Sequence, residues 1–129
     1  MNEAVLLYNY KGDRLKAVRS VLLSMKIPVK IAVKKDFSKS VGELFGLKDI
    51  EPLPDSFESF SDELMVIKDF PYLTLNIMLK KLESFGITKM PLMCALTPDN
   101  SRWSGNRLYK TVSEEHKQDK QNTNLKIKL

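Results

Sequence analysis

Leu15, Val18, Leu22 and Met25 recur sixty residues later as Leu75, Met78, Leu82 and Phe85. Each set has the spacing of one buried helix face. Apolar runs flank both helices, at residues 4–8 and 29–34 around the first and 64–68 and 91–96 around the second. The chain therefore reads as two strand–helix–strand units. Helices are expected over about residues 13–25 and 72–85, the second stopped by Gly86. Two such units predict an α+β, ferredoxin-like sandwich with right-handed crossovers. The competing arrangement is a small parallel α/β sheet with helices on both faces. With 129 residues, one domain with one core is expected. It is placed over residues 1–116, followed by a lysine-rich polar tail at 117–129.

The strands differ in their exposure pattern. In residues 29–34, Val29, Ile31 and Val33 face one way and Lys30 and Lys34 the other. That pattern suits an edge strand, where lysine discourages pairing with another chain. The other three strands are apolar on both faces. Two helices cover only one sheet face, so something must cover the second. The available covers are a helix in the linker, an extra C-terminal helix, or a second copy of the chain in a homodimer.

The linker, residues 36–62, is long and acidic. Ser40 with Glu43 forms a capping-box signal for a short helix, and Gly46 can end it. Pro52 and Pro54 then exclude helix. Phe57 and Phe60 are expected to pin this segment to the body. The tail from Lys117 is polar and is expected to be disordered or a short docking strand.

The net charge of +5 raises a nucleic-acid reading. Lys117, Lys120, Lys126 and Lys128 against Asp119 put +3 of it in the tail. Lys30, Lys34 and Lys35 form the remaining candidate basic patch. The central strand Leu-Met-Val-Ile-Lys lacks the exposed aromatics that RNA-recognition sheets use, which weighs against that reading. No apolar run approaches the ~20 residues that span a bilayer, and the N-terminus lacks a basic signal start. A cytoplasmic location is expected.

After the last strand comes Thr97-Pro98-Asp99-Asn100, a set of turn formers, and then Trp103 and Ser104. With Ser104 as N-cap, Trp103 and Leu108 make a hydrophobic staple that fixes the angle of the next helix, which is expected to run to about His116. Trp103 should then be largely buried. The same residues are the candidate binding site: Thr97, Asp99, Asn100 and Trp103 stand at a strand end beside a helix N-terminus.

Leu96, Thr97, Pro98, Asn100, Trp103 and Glu114-Glu115-His116 together resemble the C-terminal motif of the bacterial family called domain of unknown function 3783. The resemblance is best over residues 63–116 and looser over 4–47. The chain departs from it at Pro71, where a serine-like cap is usual, and at Arg107, where an acid is usual. The resemblance implies a bacterial cytoplasmic protein and carries no activity with it.

The residues point away from catalysis. Cys94 is the only cysteine, mid-strand in apolar surroundings that raise a thiol pKa. Cys94 and His116 are too few for a structural zinc. No phosphate loop or dinucleotide fingerprint occurs, so no cofactor, metal or catalytic residue is expected. The expectation is a non-catalytic binding or regulatory module acting through a protein partner or self-association. The alternatives are an RNA- or DNA-binding protein using Lys30–Lys35 and the tail, and a small-molecule sensor at Thr97–Asn100.

Overall fold

The computed structural model describes residues 2–87 and 92–128, with side chains described as far as residue 118. The elements run β1 (Ala4–Tyr8), α1 (Gly12–Ser24), β2 (Val29–Ala32), α2 (Val41–Leu44), β3 (Leu64–Lys68), α3 (Tyr72–Ser84), β4 (Met93–Ala95) and α4 (Gly105–Lys128). Two short 3₁₀ turns, Lys34–Asp36 and Asn100–Arg102, precede α2 and α4.

The α+β class and the two β-α-β units hold. The four strands form one mixed sheet in the order β2-β1-β3-β4. This corrects the ferredoxin-like expectation, in which the two units interleave so that a strand of one separates the strands of the other. Here β1 pairs directly and in parallel with β2, β3 does so with β4, and the units join through the antiparallel β1–β3 pair. The all-parallel alternative fails at the same junction. As expected, β2 lies at an edge. It ends at Ala32, earlier than read, because Val33 turns into the 3₁₀ segment and its N–H donates to Asp36 Oδ2 at 3.0 Å. The last strand is shorter too: Leu96 lies outside it, and the expected start at Pro91 falls outside the described residues.

The sixty-residue repeat is built into the core. One cluster contains Val5 with Met65, Leu7 with Ile67, Val18 with Met78, Leu22 with Leu82 and Ile27 with Ile87. Leu15 and Leu75, and Tyr10 and Phe70, also belong to it. Left-handed backbone recurs at the same interval: Asn9 (φ 66°) and Asp69 (φ 57°) follow the first strands, and Lys26 (φ 59°) and Gly86 (φ 88°) follow the helices. In the β1–β3 pair, Leu6 stands opposite Val66, with Val5 opposite Ile67 and Leu7 opposite Met65. A local two-fold axis thus passes between Leu6 and Val66.

Beyond the helices the interval becomes sixty-four, since Val29 faces Val5 while Met93 faces Met65. Four residues (25–28) join α1 to β2, and eight (85–92) join α3 to β4. The equivalence then continues. Ser40 caps α2 by accepting from the Glu43 N–H at 3.3 Å, and Ser104 caps α4 by accepting from the Arg107 N–H at 3.1 Å. The two capping serines bridge each other antiparallel.

The second sheet face is closed within the chain, by the two internal covers the sequence offered. Leu6, Tyr8, Ala32, Leu64 and Val66 pack there against Val41 of α2 and Leu108 and Val112 of α4, with Phe37 and Phe60 between. The helices α1 and α3 cover the other face. Ser40 caps α2 as expected, but Glu43 accepts from the Ser40 hydroxyl at 2.8 Å rather than from its backbone N–H, so only half of the capping box forms. Gly46 (φ 77°) ends α2. By contrast, α4 overruns its expected end near His116 and takes in the tail to Lys128. After Gly105 the chain has no glycine or proline to stop it, and the side chains of residues 114–118 stand exposed.

Candidate functional site

The corner after β4 is held by its own side chains. Asn100 is buried, and its Oδ1 accepts from the Thr97 N–H at 2.8 Å. Its Nδ2 donates to Ala95 O at 3.0 Å and reaches Cys94 Sγ at 3.7 Å. The Asn100 N–H donates in turn to Thr97 Oγ1 at 3.1 Å. Ser101 Oγ donates to Pro98 O at 2.8 Å. This reciprocal arrangement has a counterpart sixty-four residues earlier. Asp36 Oδ2 accepts from the Val33 N–H, and the Asp36 N–H donates to Val33 O at 2.8 Å. The Val33 N–H, with Lys39 beside it, holds the Asp36 carboxyl below its usual pKa.

Of the residues read as a binding site, Thr97 and Asp99 are exposed and Asn100 is turned inward. Trp103 is half-buried, which corrects the expectation of a largely buried ring. The ring lies at the rim of the second core cluster, and the Arg107 guanidinium covers it at 4.4 Å from the centroid. Leu108, the other half of the staple, is buried.

The linker locks onto this corner. Ser104 Oγ donates to Asp55 Oδ1 at 2.9 Å and Asn106 Nδ2 to Asp55 Oδ2 at 3.0 Å. Asp55 thereby places a carboxylate at the N-terminus of α4, where the helix dipole favours it. Leu53 N–H donates to Arg102 O at 2.9 Å, and Val41 N–H to Trp103 O at 2.8 Å. Phe60 stacks on Tyr109 with centroids 4.3 Å apart, and packs with Tyr8 and Phe37. Phe57 sits near Lys110 and Arg107. The two phenylalanines pin the linker, as expected. A polar groove of about 610 Å³ remains between residues 56–60 and the outer side of α4.

Cys94 is half-buried, and burial pushes its thiol pKa up, with Glu115 adding to the effect. His116 is exposed on α4. Among the described residues, no three His, Cys, Asp or Glu stand together as a metal-binding group. Of the candidate basic patch, Lys30 on β2 and Lys34 and Lys35 in the following turn are all exposed.

The sequence reading missed the outer face of α3. Tyr72, Leu73 and Ile77 are 79%, 70% and 40% exposed. Their counterparts sixty residues earlier are Gly12, Asp13 and Ala17 on α1. The scaffold therefore does not need apolar side chains at those positions. The signal was in the sequence, since α3 carries more apolar residues than one buried stripe uses. Aligning the two helices position by position would have exposed the surplus.

No curated protein and no solved structure matches the chain. Among the described residues, no helix is long and apolar enough to cross a membrane. Residues 63–118 match the model of a protein family. They span β3 to the middle of α4, which is the second of the two units. The resemblance read from the sequence therefore holds over that unit, and what residues 63–118 carry is a domain of unknown function (DUF3783).

Proposed function

We propose that this protein is a non-catalytic binding module that docks a partner protein on the outer face of α3. The observation that carries this reading is the contrast between the twin helices. Single exposed apolar residues are ordinary. Three on one helix, at positions where the equivalent helix has glycine, aspartate and alanine, have no role in the scaffold. Leu73 and Ile77 are four residues apart and share a face, and exposed Lys80 continues it. The partner chemistry that fits is an amphipathic helix with an acidic residue beside its apolar stripe.

The test is a photo-reactive amino acid placed at position 77, and at the twin position 17, of the full chain in cells. A cross-linked species is expected from 77 and not from 17, and Leu73→Glu should abolish it. The mass of the adduct identifies the occupant, because twice the chain mass means self-association through α3. Equal cross-linking from both positions, or none from 77, overturns the proposal.

A further inference from the structure

A second surface stands on the opposite side of the molecule, at the free edge of β2. Val5 N–H donates to Pro28 O at 3.0 Å, which sets the alternation of the parallel β1–β2 ladder. Lys30 and Ala32 then turn their N–H groups toward β1. Val29 and Ile31 turn theirs, and their carbonyls, to the outside. The next outward N–H, that of Val33, is already taken by Asp36. The edge is therefore short, with two residues offering backbone pairing.

A groove of about 320 Å³ runs beside this edge, lined by Arg19, Ser20, Leu23, Ile27, Pro28 and Val29. Leu23 is 78% exposed, and its twin on α3 is Glu83, so the fold does not require leucine there. The charges around the edge have one sign. Arg19 lines the groove, and Lys26, Lys30, Lys34 and Lys35 lie on the adjoining turn, strand and 3₁₀ segment. Among the described residues none of these five forms an ion pair, and the nearby Asp36 is engaged by Lys39 and Val33.

We propose that the β2 edge and its groove dock an extended peptide segment with acidic side chains, which adds to the sheet as a fifth strand. The alternation of a strand matches both sides of the site. Apolar side chains of the peptide would face Leu23, Ile27 and Val29, and the acidic ones would face Lys30. The same lysine disfavours pairing of the edge with a second copy of itself, since two such edges would bring Lys30 against Lys30. A nucleic acid fits less well. The groove lining has no aromatic ring on which a base could stack, and outward N–H and C=O groups complement a peptide backbone.

The probe is acetyl-Glu-Val-Glu-Val-Glu-amide, titrated into the uniformly ¹⁵N-labelled full chain. The Val29 and Ile31 amides should shift and gain protection from hydrogen exchange. Methylation of the peptide's backbone nitrogens should weaken binding at least tenfold, as should Arg19→Glu in the protein. The lysine analogue of the peptide should not bind. Unchanged binding of the methylated peptide would reduce the contact to charge alone and overturn the proposal. So would no shift at millimolar peptide, or tighter binding of oligouridylate at the same amides. Because the readout sits on β2, it is independent of the α3 cross-linking, and either proposal can fail without the other.

Discussion

A Cβ on Gly105 would lie 2.6 Å from the Tyr8 ring and 2.7 Å from its hydroxyl. Tyr8 cannot yield. It is fully buried and its ring is held by Phe37 and Phe60, with centroids 5.2 and 5.5 Å away. Gly105→Ala is therefore expected to destabilise by about 1–3 kcal/mol, measured by chemical denaturation. Stability unchanged within 0.5 kcal/mol, on the order expected of an indifferent surface site, would mean that α4 can slide to make room. The tyrosines also set an alkaline limit. Burial raises the Tyr8 and Tyr10 pKa values, and the hydrogen bond to Asp62 raises that of Tyr109 to about 12. In the unfolded chain they ionise near pH 10. The folded state thus holds these protons more tightly, so its stability is intact below pH 10 and falls as pH rises toward the folded values. Denaturation midpoints of a Cys94→Ser chain, which lacks the buried thiol whose raised pKa adds an earlier loss, should drop between pH 8 and pH 12 only above about pH 10. A drop already between pH 8 and 9 would point to another group.

At the scale of elements, the linker is a structural part rather than a tether, and Asp55 is what fastens it. Its carboxylate accepts from Ser104, Asn106 and the Phe57 N–H. Asp55→Ala should cost roughly 1–3 kcal/mol and open residues 51–60 to limited proteolysis. Resistance equal to that of the parent chain would transfer the fastening to Phe57 and Phe60. The outer face of α3 should behave in the opposite way. Leu73→Glu replaces an exposed side chain and should change stability by no more than about 0.5 kcal/mol. A large loss would make the face part of the scaffold and remove the basis for docking there. Most of the elements were legible because their signals are local. The two helix stripes, the Ser40 cap, the Ser104 cap and the turn at Thr97–Asn100 each lie within a few residues. The strand order was not legible. The same four strands can interleave or stand side by side, and only the long-range pairing of Leu6 with Val66 decides. The apolar face of α3 was hidden by its own stripe, since Leu73 and Ile77 read as additions to a core helix. The length of α4 was hidden by its polarity, because the sequence beyond Val112 is too polar to carry an apolar stripe with a helical period.

The whole molecule is two copies of one plan, related by an axis through Leu6 and Val66 and bridged again at Ser40 and Ser104. Two units joined edge to edge could unfold separately, but the packing argues otherwise. Neither unit closes a core alone, because the cluster under α1 and α3 draws Val5, Leu7 and Val18 from one and Met65, Ile67 and Met78 from the other. On the far side, α4 of the second unit covers Leu6 and Tyr8 of the first. Losing either unit would uncover the fully buried strand of the other, and large buried side chains each contribute about 1.5–3 kcal/mol. The chain should therefore unfold in a single transition. Trp103 fluorescence reports on the second unit alone, far-UV circular dichroism on all helices, and hydrogen exchange at the Leu6 and Leu7 amides on the first unit. The three should give one midpoint and one free energy. If the Trp103 transition preceded loss of protection at β1, the first unit would be a stable body without its twin. The two-fold plan would then be a juxtaposition of independent units rather than one shared core.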